Sequence, residues 1–160
     1  MQRFLLLFSI LFSGVLFSQT KLNLIPYPQK VEFQKGEFII PKNFVLHKNL
    51  PKQETEYFKK HFDKEYNFID QKRYEGSNLQ SALLLELRHI PFDEKESKEK
   101  YSIIISSERI TIMTRTKQGY FLAIQTLIQL FDQYKSKGKI PAMIIADEPK
   151  FAWRGLHLDV

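Results

Sequence analysis

The chain contains no cysteine among its 160 residues, which excludes disulfides, zinc–thiolate sites and a thiol nucleophile. Tryptophan occurs once and glycine six times. The glycines (Gly14, Gly36, Gly76, Gly119, Gly138 and Gly155) stand apart from one another, so the strand–glycine loop–helix signature of a phosphate cradle is missing. There is no internal repeat and no low-complexity tract. Charge of one sign is never concentrated. The net charge is +6, yet lysines alternate with acids, as in Asp93-Glu-Lys-Glu-Ser-Lys-Glu-Lys100. A nucleic-acid binder gathers its basic residues on one stripe, so the pattern argues against a nucleic-acid partner. The one long apolar run, Phe4 to Phe17, falls short of the ~20 residues that a spanning helix needs, which argues against a stable membrane span.

What the first residues do contain is the layout of a secretory leader. Arg3 supplies the positive start, Phe4–Phe17 the apolar middle, and Leu16-Phe17-Ser18 a small residue before Gln19. Residues 1–18 therefore read as a signal peptide and the protein as exported, periplasmic or secreted. The lack of cysteine after the apolar run argues against a lipid anchor.

The rest is long enough for one domain with a real core. Asn23-Leu-Ile-Pro-Tyr-Pro-Gln-Lys-Val31 holds two prolines, which force an extended opening. Val31–Phe33, Glu37–Ile40 after Gly36, and Phe44–Leu46 alternate as short strands of a meander. Pro51 starts a helix on which Tyr57, Phe58, His61, Phe62 and Tyr66 recur at three- and four-residue spacing. His61 reads as a packed or half-exposed helix histidine, since no second ligand stands at metal-site spacing. Ser81–His89 is a strand. Tyr101–Ile105 and Ile110–Met113 form an antiparallel hairpin around Ser106–Arg109. Thr116 caps a second helix from Lys117 to about Tyr134, with Gly138 as its stop signal. Ile140–Ile145 is a last strand, and Asp147-Glu-Pro149 leads out. The sum is an α+β domain: a mainly antiparallel sheet with two packed helices.

The final stretch, Phe151-Ala-Trp-Arg-Gly-Leu-His-Leu-Asp-Val160, reads as the opening strand of something larger, because a lone strand cannot satisfy its backbone. Three stretches in order then carry a resemblance: Leu24-Ile-Pro-Tyr-Pro-Gln-Lys-Val31, Gly119-Tyr-Phe-Leu-Ala-Ile-Gln-Thr-Leu-Ile-Gln-Leu130, and Asp147-Glu-Pro-Lys-Phe-Ala-Trp-Arg-Gly-Leu-His-Leu-Asp159. Together they resemble the start of the family 20 glycoside hydrolases, the β-N-acetylhexosaminidases. The resemblance implies a non-catalytic α+β domain over 19–148, and a linker and first strand of a truncated TIM barrel over 149–160. It implies a carbohydrate substrate ending in an N-acetylhexosamine, no cofactor and no metal. Hydrolysis would be retaining and assisted by the substrate's own acetamide, as in this exception to the two-carboxylate scheme. The catalytic Asp-Glu pair would lie on a later barrel strand, so no catalytic residue is expected within these residues. Arg154 matches the arginine that holds hydroxyls of the terminal sugar, a task suited to a guanidinium with its fixed fork of donors. Asp159 would support the barrel interior and Trp153 would pack at the domain junction. Asp147-Glu148 is followed by Pro149 and lies ahead of the barrel, so it reads as linker and not as the catalytic pair. The reading from another class is a stand-alone accessory domain that binds a glycan or a protein.

Overall fold

The computed structural model describes residues 22–70, 82–89 and 97–151. Among them, seven strands form one sheet: β1 (Lys30–Ile39), β2 (Asn43–Leu46), β3 (Asn67–Asp70), β4 (Ala82–His89), β5 (Tyr101–Ile105), β6 (Arg109–Thr114) and β7 (Lys139–Asp147). Two α-helices accompany them, α1 (Lys52–His61) and α2 (Lys117–Tyr134). The sheet order is β1-β7-β5-β6-β4-β2-β3. This is the expected α+β arrangement of a sheet with two helices.

The pairing is antiparallel across β1–β7, β7–β5 and β5–β6. Across β6–β4, β4–β2 and β2–β3 it is parallel. The parallel β2–β3 pair follows from α1, which lies between the two strands in the chain: a helical crossover returns the backbone in its original direction. β3 has only four residues, and its pattern gave no strand signal in the sequence.

The expected meander over residues 31–46 does not form. Residues on both sides of Gly36 belong to one ten-residue strand, β1, which runs along β7. Its register shifts between Phe33 and Glu37, and Gly36 takes φ 103° there. The residue that read as a turn is a bulge residue, in a conformation that disfavours any side chain. β2 then lies five places away in the sheet. The four steps from Ile39 to Asn43 reach at most about 14 Å, whereas five places in a flat sheet span about 24 Å. The sheet must therefore curl around its helices. Phe38 and Ile140, paired across β1 and β7, are both fully buried, and the Phe38 ring lies 6.5 Å from that of Phe44 on β2.

α2 fits the sequence reading at both ends. Thr116 accepts a hydrogen bond from Gly119 N at 3.1 Å, and Gly138, at φ 67°, closes the single 3₁₀ turn after the helix. Tyr120, Ala123, Ile124, Leu127, Ile128, Leu130, Phe131 and Tyr134 are buried. Phe131 is the hub of an aromatic cluster, with ring centroids 5.5 Å from Phe44, 5.7 Å from Phe58, 5.7 Å from Phe62 and 6.0 Å from Tyr66. α1 stops at His61, before the end of its apolar pattern. A turn in which Glu65 N and Tyr66 N both donate to Phe62 O swings Tyr66 back against the cluster.

Polar contacts tie the helices together. Thr55 Oγ1 lies 3.0 Å from Tyr120 Oη in the interior, and burial pushes the Tyr120 phenol up to about 12. At the surface, His61 Nε2 sits 3.0 Å from Asp132 Oδ2. Burial alone would raise the Asp132 carboxyl, but hydrogen bonds from Lys135 and His61 outweigh it and hold the group below its ordinary value. His61 is thus a half-exposed interhelix contact.

Gly119 lies where α2 packs tightly on Thr114 of β6 and on Lys100, just ahead of β5. A Cβ there would stand 2.2 Å from Thr114 Oγ1 and 2.7 Å from Lys100 O, two atoms already joined by a 2.9 Å hydrogen bond. Alanine in a free helix would gain about 1 kcal/mol over glycine. Here the overpacking cost of about 1–3 kcal/mol, occasionally more, opposes that gain against a backbone atom that cannot swing away. Gly119→Ala is expected to lower the urea midpoint; an unchanged or raised midpoint would show that the hairpin yields freely.

Candidate functional site

The opening segment and the exit stretch, far apart in the sequence, meet beside α2. The opening segment, residues 22–29, crosses the helix and is held by glutamine side chains. Gln129 accepts from Ile25 N at 2.8 Å and donates to Ile25 O at 3.0 Å, so one amide satisfies both backbone groups of that residue. Gln133 accepts from Asn23 N at 3.0 Å. The prolines explain the need: a segment that cannot join a sheet must find other partners for its backbone. The exit stretch holds the other end. Asp147 Oδ1 accepts from Gln29 N at 3.2 Å, and Gln29 Nε2 donates to Glu148 O at 2.6 Å.

Between opening segment, helix and exit lies a groove of ≈ 780 Å³. Ile25, Pro26, Tyr27, Leu122 and Phe151 give it apolar walls, while Gln125, Gln129, Glu99, Asp147 and Glu148 add polar groups. Tyr101 and Thr126 also line it, joined by a 2.7 Å hydrogen bond between their hydroxyls. Burial pushes the Tyr101 phenol up to about 12; the Thr126 hydrogen bond opposes the shift and the Asp147 charge adds to it. Gln125 Nε2 is buried and has no hydrogen-bond partner among the described residues.

The groove offers apolar packing and hydrogen bonding. Asp147 is engaged with the backbone of the opening segment, and the Glu148 carboxylate lies 3.9 Å from Lys100 Nζ. Both carboxylates of the Asp147-Glu148 pair thus meet partners within the domain. Among the described residues no group of three or more His, Asp or Glu could hold a metal ion, and no helix is long and apolar enough to cross a membrane. Arg154, Trp153 and Asp159 lie outside the described residues, as does the whole stretch 1–21.

The glutamines are what sequence reasoning missed. Gln125, Gln129 and Gln133 recur every four residues and so share one helix face. A polar face of this kind reads as solvated until the backbone it holds, 104 to 110 residues away, is in place.

Residues 21–148 match the family described as Glycosyl hydrolase family 20, domain 2. The β-hexosaminidase subunit beta of Entamoeba histolytica is 42% identical over 65 residues, covering 39% of this chain and 11% of that protein. The N,N'-diacetylchitobiase of Vibrio harveyi is 28% identical over 142 residues, covering 86% of this chain and 15% of that protein. Among solved structures, the Flavobacterium johnsoniae chitobiase superposes with a TM-score of 0.58 at 27% identity, covering 86% of this chain and 22% of its own. The chain thus spans well under a fifth of the length of these two curated relatives. With a domain match over most of its residues, the chain belongs to glycosyl hydrolase family 20, and residues 21–148 are its domain 2.

Proposed function

We propose that this chain is the front portion of an exported β-N-acetylhexosaminidase, which removes terminal non-reducing N-acetylglucosamine or N-acetylgalactosamine from glycans. In this reading residues 1–18 are the signal peptide, 19–148 a non-catalytic domain, and 149–160 the linker and first strand of a (β/α)8 barrel. The barrel's remaining strands carry the adjacent aspartate and glutamate. The aspartate orients the substrate's acetamido group, whose oxygen attacks the anomeric carbon, and the glutamate protonates the leaving oxygen and then activates water. Arg154 grips hydroxyls of the terminal sugar at the floor of the pocket. No cofactor or metal takes part.

The observation that carries this reading is the convergence of the opening segment, α2 and the exit stretch around one groove, in a domain whose named relatives are hexosaminidases. Those are the stretches that resemble the family, and they build the place from which the chain leaves the domain. Reading the coding sequence beyond Val160 tests the proposal. It is expected to continue in frame and later to encode a histidine and then a Gly-Gly-Asp-Glu segment. An in-frame stop directly after Val160 would overturn the enzyme reading and select the second one, a stand-alone accessory domain that uses the groove to bind a glycan or a protein.

A further inference from the structure

We propose that the groove beside α2 binds a short oligosaccharide carrying free amines, held by the acidic side chains of its lining. The proposal rests on the hexosaminidase reading only for its choice of a sugar as carrier of the amine; the preference for positive charge comes from the lining itself.

The charge of the groove runs against that of the chain. The whole sequence is net +6, yet among the described lining residues Glu99, Asp147 and Glu148 are acidic and only Lys150 is basic. Acids gathered in a cleft with apolar walls focus a negative potential and raise the local concentration of cations. That field reaches inward, since the Asp147 charge adds to the rise of the Tyr101 phenol. The acids are also open to a further partner. Lys100 Nζ stands 3.9 Å from Glu148 Oε2, too far for a hydrogen bond, so this carboxylate keeps acceptor capacity for a second cation.

Size and walls select the kind of ligand. The groove volume of ≈ 780 Å³ falls within the range of about 300–1,000 Å³ that holds small molecules. Tyr27, 54% exposed, and Phe151, 67% exposed, add two open aromatic rings to the lining. An ammonium set over such a ring gains a cation–π attraction, and the apolar walls pack against the C–H face of a sugar. Carboxylates accept from ammonium and hydroxyl groups alike, most strongly from the charged donor. A fully acetylated sugar brings no charge to answer the acids, and an alkyl amine brings no hydroxyls for the remaining acceptors.

The test titrates the 160-residue chain, by isothermal calorimetry, with three probes: a β-1,4-linked glucosamine tetramer, its fully N-acetylated counterpart and tetralysine. Mildly acidic buffer keeps the sugar amines charged and leaves the carboxylates ionised. The glucosamine tetramer is expected to bind at least about tenfold more tightly than the acetylated one, and added salt should shrink that preference. Replacing Glu99 and Glu148 together by Gln should weaken the glucosamine tetramer about tenfold while far-UV circular dichroism stays unchanged. If that variant fails to fold, Lys150→Glu, at an exposed position, should tighten the same probe. Equal binding of the two sugar tetramers, binding of neither, or an affinity that ignores these changes in folded variants would overturn the proposal. So would tetralysine binding as tightly as the glucosamine tetramer, which would assign the groove to a basic peptide. Hydrolysis is not read in any arm, so loss of the enzyme reading and loss of this proposal are separate results.

Discussion

Phe131→Ala is expected to remove a large share of the stability of the domain. The Phe131 side chain is fully buried and its ring meets four others, from β2, α1 and the turn after α1. Truncation removes the apolar transfer energy and leaves a hole that the surrounding rings, each fixed by its own backbone, cannot fill together. Changes of this kind cost about 3–5 kcal/mol. A whole domain is stable by only about 5–15 kcal/mol, so the loss is large against the total. Urea titration measures the effect: the midpoint falls while the slope stays the same, as for a loss of stability without a change in the unfolded chain. Phe33→Ala, at an exposed aromatic on β1, serves as the control and should move stability by no more than about 0.5 kcal/mol. If Phe131→Ala matched that control, the aromatic cluster would not be the centre of the core.

The same cluster illustrates how far the sequence could be read. α2 was legible from end to end, because a capping threonine, a single apolar stripe and a terminal glycine all point the same way. The β5–β6 hairpin was legible for a similar reason: two alternating runs flank a short polar link. The parallel half of the sheet was not. β3 is four residues, Asn67 to Asp70, too short for alternation to rise above chance, and the pairing of β2 with both β3 and β4 is set by where α1 crosses rather than by any local pattern. Gly36 shows a further limit: a lone glycine between apolar runs reads as a turn or as a bulge with equal ease, and only the β7 partner decides.

The candidate site divides in the same way. Its backbone could be anticipated, since the opening prolines, the Gln-Thr-Leu helix and the Asp-Glu-Pro exit each stand out. That they touch could not. Gln129 spans 104 residues to bind Ile25, and nothing at either position announces the other. Residues 22–29 are fastened to α2, and Asp147 and Glu148 are in turn bonded to Gln29, so the two ends of the described domain are tied to each other.

Arg154 is the residue of this chain that we propose to hold substrate, and its replacement is the most direct check on that proposal. If its guanidinium holds two hydroxyls of the terminal sugar, Arg154→Ala removes two charge-assisted hydrogen bonds of about 1.5–3 kcal/mol each, and kcat/KM falls by on the order of 10²–10⁴-fold. The measurement is release of 4-nitrophenol from the N-acetylglucosaminide and from the plain glucoside, by the product of the complete reading frame and by its Arg154→Ala variant. The account predicts activity on the first substrate only, and its loss on that scale in a variant that still melts like the parent. Equal activity of variant and parent, or turnover of the plain glucoside by both, would contradict it.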